Sequence, residues 1–268
     1  MIALGLALAG CTRSGAVTTA TVASPSPTGA SPGSSAAPTP KPSKAHAKPV
    51  AAPAAALRQV PVPQQVFVAA RQPAHPLPTP ATCHGVPSGL SASQLILVRS
   101  SGTYAQVSAC RRSGSTWLLD LGPYSGHVGY TGVTPAGSKR EGDGHTPAGV
   151  YSMGYGFGLS SNPGLAMGWR GVRSGDVWVD DPRSSLYNSW QTNPSNGRWS
   201  SAESLNQPGP YSLAQVINYN TARTPYQGSA IFLHVDTGGA TAGCVAIGRD
   251  QLTAVFRWER SGTLISIA

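Results

Sequence analysis

Acidic residues are scarce in this 268-residue chain, with 10 Asp and Glu against 19 Lys and Arg. None of the ten falls in residues 12–82, which carry six basic residues: Arg13, Lys41, Lys44, Lys48, Arg58 and Arg71. A strongly basic balance is the usual mark of nucleic-acid binding. Here residues 83–268 hold 13 basic and 10 acidic residues, so they carry little of the excess. They contain no basic helix and no basic stripe interleaved with aromatics. Nucleic acid is therefore excluded as the expected partner. A solvated basic segment fits anionic cell-wall polymers or a membrane surface better. Long apolar runs are also missing at the start of the chain. Residues 1–11, MIALGLALAGC, contain a run of about eight apolar residues, where a spanning helix needs about 20.

That short run, ending in small residues, has the form of the apolar part of an export signal. Leu8-Ala9-Gly10-Cys11 resembles a bacterial lipobox, in which Cys11 would be lipidated and become the mature N-terminus. No Lys or Arg precedes Cys11. Residues 12–82 are rich in Ala, Pro, Ser and Thr and hold 14 of the 24 prolines. Such a composition buries too little apolar surface to offset the entropy of ordering, so it reads as a disordered, polyproline-like stalk. Fully extended at about 3.1 Å per residue it would reach roughly 200 Å. Its one apolar island is Val60–Ala70.

From Cys83 to Ala268 the composition suits one domain with a single core. Gln94–Val98, Thr103–Ala109, Trp117–Leu121, Gly126–Tyr130, Val150–Met153, Ser229–Val235 and Leu264–Ile267 read as short strands broken by Gly- and Ser-rich turns. The expected fold is mainly β, a β-sandwich or barrel. Gln251–Glu259 predicts a helix from Leu252, Val255 and Phe256, with Asp250 placed to cap it. Leu213–Tyr219 reads as either a second short helix or a strand. Between Gly156 and Pro210 lies a long insertion rich in Gly, Ser, Asn and Trp, expected to form loop structure along a cleft.

The chemistry concentrates in Ser229–Arg249, SAIFLHVDTGGATAGCVAIGR. His234 closes an apolar run, a glycine-rich turn follows, and Cys244 returns behind Gly243. A thiol nucleophile needs a base for its proton and N–H groups for a developing oxyanion. Taken alone, Cys244 reads equally well as a small core residue and His234 as a structural one. One Cys and one His fall short of a zinc site, so no metal is expected, and no organic cofactor is implied.

His234 followed by Thr241-x-Gly243-Cys244 resembles the active-site signature of the L,D-transpeptidase (YkuD-type) catalytic domain. Lys139–Tyr151, KREGDGHTPAGVY, is similar to the G-D-G-x-T-P-x-G-x-[FY] segment of the same family. The resemblance covers Gln94–Ala268. It implies a β-sandwich of that type with one or two short helices, acting on peptidoglycan stem peptides. In that reading Cys244 forms a thioester with a tetrapeptide donor, and His234 moves the proton. The Val235 carbonyl fixes the imidazole tautomer, and the N–H groups of Gly243 and Cys244 receive the oxyanion. Thr241, Tyr187, Trp178 and Arg249 are the expected substrate contacts. Arg249 stands in for a basic residue the family often has two positions after the cysteine, where this chain has Ala246. Ala242 likewise stands where the family often has His.

The cysteines then divide: Cys11 for lipid, Cys244 for chemistry, and Cys83 with Cys110 as a disulfide suited to an oxidising compartment. The imidazole and the turn amides are expected to favour the thiolate of Cys244. Together these features describe a monomer, exported and held at the outer face of the cytoplasmic membrane or in the wall. Its map is a signal at 1–11, a stalk at 12–82 and a catalytic domain at 83–268. A hydrolase using the same Cys–His pair, or an inactive wall-binding homologue, is the alternative. A papain-like hydrolase is disfavoured because its cysteine precedes its histidine.

Overall fold

The computed structural model describes residues 80–268. Cys11, the Val60–Ala70 island and nearly all of the 12–82 stalk lie outside them. Thirteen strands are present among the described residues. They are β1 (Gln94–Ser101), β2 (Tyr104–Ser113), β3 (Thr116–His127), β4 (Val133–Pro135), β5 (Thr146–Gly158), β6 (Trp169–Gly171), β7 (Asp176–Val179), β8 (Ser189–Thr192), β9 (Ala202–Ser204), β10 (Ala214–Ile217), β11 (Phe232–Val235), β12 (Val245–Ile247) and β13 (Leu264–Ile267). The one α-helix among the described residues, α1, spans Arg249–Trp258.

The main sheet runs β10-β11-β12-β3-β2-β1-β13-β5-β4, and β10 also pairs with β5, which closes it into a barrel-like sandwich. The long strand β5 makes the closure possible. Gly149–Ser152 pairs with β13, while Met153–Phe157 turns to pair with β10. The expected mainly β fold is the one observed.

Burial explains the strand patterns. Leu95–Val98 is a continuous apolar run because β1 is covered on both faces. Ile96 and Val98 face the main core with Val107, Leu233, Val245 and Ile265. Leu95 and Leu97 face a second cluster around Cys83 and Cys110, and those two cysteines form a disulfide. Residues 81–83 already run beside β3: Leu119 N donates to Ala81 O and Cys83 N to Trp117 O, both at 2.8 Å. α1 seals one side of the core with Leu252, Val255 and Phe256, the helical spacing seen in the sequence.

Four local expectations change. Trp117–Leu121 and Gly126–Tyr130 do not form two strands, because β3 runs unbroken from Thr116 to His127. Ser229–Val235 shortens to β11, since Ala230 adopts φ +54°, a left-handed conformation that interrupts an extended chain. Leu213–Tyr219 resolves as strand β10. The α1 N-cap is Gly248, with no side-chain cap; Asp250 sits in the first turn, where its charge suits the helix dipole.

The Gly156–Pro210 insertion is not loop throughout. It carries β6 and a separate three-stranded sheet, β8-β7-β9. One face of that sheet packs through Val177, Val179 and Trp199. The other contributes Trp178 and Trp190 to a cluster with Phe157, Tyr211, Phe232 and Cys244. The small sheet therefore lies over β11 and the start of β12, where the two sequence motifs converge.

Candidate active site

β11 and β12 are parallel neighbours, with Leu233 opposite Val245 and His234 opposite Ala246. Side chains alternate along a strand. Leu233, Val235, Val245 and Ile247 accordingly enter the main core, while Phe232, His234, Cys244 and Ala246 share the other face. His234 and Cys244 become diagonal neighbours across two strands, although ten residues separate them. Both line a cleft of about 390 Å³, together with Thr241, Tyr211, Glu203 and Asp180.

The turn before Cys244 is tightly held. Gly243 has φ +146°, and a Cβ there would lie 2.9 Å from the carbonyl oxygen of His145, so only glycine fits. Thr241 Oγ1 donates to the Cys244 carbonyl at 2.7 Å, and Thr146 Oγ1 does so at 3.2 Å. Thr146 Oγ1 also accepts from Gly129 N at 2.8 Å. The Gly-Asp-Gly-His-Thr-Pro segment thus acts as a brace for the thiol turn. Within it, Asp143 accepts from Lys139 Nζ at 2.6 Å and from the amides of Arg140 and His145. Burial works against its carboxylate, and these bonds outweigh that, holding it below its ordinary pKa.

His234 Nδ1 lies 2.9 Å from the carbonyl oxygen of Val235. A carbonyl only accepts, so Nδ1 carries the proton and Nε2 keeps its lone pair. Burial lowers the pKa of His234, so the ring is neutral near pH 7. Cys244 Sγ donates to Ala230 O at 3.3 Å and accepts from Phe232 N at 3.4 Å. The expectation of a thiolate-favouring site is corrected here. Burial pushes the Cys244 thiol well above its ordinary range, and the nearby charge of Glu203 adds to the effect. The resting pair is thiol and neutral imidazole.

The remaining sequence-derived residues divide. Thr241 lines the cleft. Gly243 N is engaged by Thr241 Oγ1 at 3.1 Å, which leaves the Cys244 amide as the freer candidate for an oxyanion. Tyr187, Trp178 and Arg249 do not line the cleft. Tyr187 is buried and bonds Glu141. Trp178 donates to Asn188 Oδ1 at 2.8 Å and packs edge-on against Phe232 at 5.0 Å. Arg249 points to the Ser212 and Ser160 hydroxyls at 2.6 and 3.0 Å. Side chains not singled out in the sequence take the cleft wall: Lys139, Glu141, Asp180, Glu203 and Tyr211. Lys139 and Glu141 lie inside the Lys139–Tyr151 stretch already marked by resemblance, and Asp180 lies two residues after Trp178. Glu203 and Tyr211 sit in a polar stretch, SAESLNQPGPYS, that gives no local signal. No group of three or more metal-binding side chains occurs among the described residues.

Residues 116–267 match the family model for YkuD, the L,D-transpeptidase catalytic domain. Comparison with curated proteins gives no match. Among solved structures, the chain is similar to the helical cell shape determining protein Pgp2 from Campylobacter jejuni and to a lysine-to-alanine mutant of it. Both are 16% identical with a TM-score of 0.34, and the matches cover 65% and 66% of this chain. The chain spans about half the length of those structures, 47% of each.

Proposed function

The chain belongs to the YkuD family of L,D-transpeptidase catalytic domains, whose role is peptidoglycan-related, and from that premise we propose that Cys244 is the nucleophile of acyl transfer between stem peptides. The observation that carries this reading is the shared face of β11 and β12. It holds a thiol and a neutral imidazole on one cleft, and the imidazole proton is committed to Val235.

The steps follow from the resting protonation states. Because burial disfavours a free thiolate, attack and proton removal occur together. Cys244 Sγ bonds to the carbonyl carbon of the third residue of a tetrapeptide donor while His234 Nε2 takes the thiol proton. The carbonyl electron pair moves to oxygen, facing the Cys244 N–H. On collapse the C–N bond breaks, and the imidazolium gives its proton to the departing D-amino acid. A thioester remains. An amine of a neighbouring stem then attacks it, His234 accepts the amine proton, and the thiol is restored.

Liquid chromatography of the products, with tetrapeptide stems as both donor and acceptor, tests this. The expected product is a cross-linked dimer with release of the terminal D-amino acid. His234→Ala should slow it by roughly a hundredfold or more. Tripeptide without dimer would make water the acceptor and the protein a carboxypeptidase. Undiminished activity in His234→Ala would remove the imidazole from the mechanism.

A further inference from the structure

The turn that joins β11 to β12 is itself a wall of the cleft, lined by Thr237, Gly239, Ala240 and Thr241. Thr237–Ala240 is exposed throughout. A Cβ added at Gly238 or Gly239 would meet no atom of the described residues within 4 Å. With nothing packed on these two glycines, the strap is placed by its ends. At one end Thr241 N donates to Val128 O at 2.9 Å, and Thr241 O accepts from Tyr130 N at 2.8 Å. At the other end Asp236 N donates to Ile247 O at 2.8 Å. His234, Ala246 and His127 stand in register on β11, β12 and β3. The Asp236 carboxylate spans β12 to accept from His127 Nδ1 at 2.9 Å, a path that the small Ala246 leaves open. Its other oxygen accepts from Gly238 N at 2.8 Å. One carboxylate thus ties the strap to β3.

Thr237 meets the opposite wall of the cleft. A Cβ at Gly209 would lie 3.4 Å from Thr237 Cγ2, and Gln207, Pro210 and Tyr211 line the cleft beside it. Behind that contact Tyr211 meets the His234 ring edge-on at 5.6 Å, and Cys244 is only 6% exposed. We propose that Asp236–Ala240 is a gate over the nucleophile, closed by Thr237 against Gly209, and that His127 is the positioning residue that pins it through Asp236. The gate builds on the reading of Cys244 as the reactive group and alters no bond or proton transfer of the mechanism.

The pin is built to hold. A carboxylate only accepts, so His127 Nδ1 carries the proton and donates it to a charged group. The two side chains are 18% and 16% exposed, which shields the bond from water better than a surface pair is shielded. Tyr104 stands opposite His127 on β2, its ring 5.3 Å from the imidazole. Beyond the pin, Gly238 at φ +91° and Gly239 give the strap the backbone freedom a hinge needs. Closed, Thr237 and the Gly209 wall shield the sulfur from solvent; open, they admit a peptide.

Alkylation of the full chain by iodoacetamide and by a bulkier maleimide, followed at the Cys244 peptide by mass spectrometry, tests this without acyl transfer. His127→Ala should raise the rate roughly tenfold, the factor for losing one hydrogen bond to a charged group, and more for the maleimide. His127→Asn, whose amide nitrogen takes the place of Nδ1, should restore the slow rate. Gly239→Ala adds a methyl into open space and stiffens the strap, so it should slow alkylation. A loosened fold would hasten hydrogen exchange in β1 and β13 as well, whereas an open gate leaves those amides as they are. An unchanged rate in His127→Ala, a gain that persists in His127→Asn, or a gain matched by faster exchange in β1 and β13 would overturn the gate. If alkylation behaves as expected and stem peptides give no product, the substrate reading fails while the gate stands.

Discussion

Glu259 buries its carboxyl just past the end of α1. Gln215 Nε2 donates to one oxygen at 3.0 Å, and the other oxygen has no partner. Burial raises its pKa from 4.5 to about 8. Between those values the native state holds a proton that the unfolded chain has released. Stability is therefore greatest below about pH 4.5 as far as this group is concerned, falls as pH rises toward 8, and levels off above it. Glu259→Gln should flatten this slope, and urea unfolding at a series of pH values checks it. The expected effect is on the order of a few kcal/mol across the window. An unchanged slope would mean that Glu259 is ionised in the fold. Other residues were more legible in the sequence than this one. His234, Gly243 and Cys244 stand out because a nucleophile, its base and a glycine turn are local in sequence. Glu203, Tyr211 and Glu259 do not, because their roles arise from the elements that fold over them.

At the level of strands and helix, the Cys83–Cys110 disulfide joins the lead-in segment to β2 across a separation of 27 residues. It packs with Leu95 and Leu97 on the face of β1 away from the main core. Closing a loop of that length in the unfolded chain is worth roughly 3–4 kcal/mol. Cys83→Ser with Cys110→Ser should lower the thermal midpoint by several degrees while leaving Cys244 alkylation unchanged, since the pair is remote from the cleft. A midpoint equal to wild type would show that the lead-in segment adds nothing to stability. Strands with apolar runs or clear alternation, such as β1, β2 and β13, are readable from sequence because burial alone sets them. The β7–β9 sheet is not. Its strands are three or four residues long and set in Gly-, Ser- and Asn-rich chain. They exist because Trp178 and Trp190 find Phe157 and Phe232 to pack on. Tertiary contact, not local preference, makes them strands.

Across the whole chain, charge and burial are distributed to different ends. The basic excess lies mainly in residues 12–82, whereas the cleft gathers Glu141, Asp180 and Glu203 around a single, already bonded lysine. The barrel supplies a rigid wall through β11 and β12, the Thr146 segment braces the thiol turn, and the small sheet adds Glu203 to the cleft wall beside Tyr211. All of this converges on one covalent event at Cys244. Intact-mass spectrometry of the full chain, incubated with a tetrapeptide stem and no amine acceptor, reads that event directly. The expected spectrum shows wild type heavier by the tripeptide acyl group, an adduct that hydroxylamine removes as it does a thioester, and Cys244→Ala unmodified. Wild type that consumes donor without ever carrying the adduct, or Cys244→Ala that carries it equally, would contradict the assignment of Cys244 as the nucleophile.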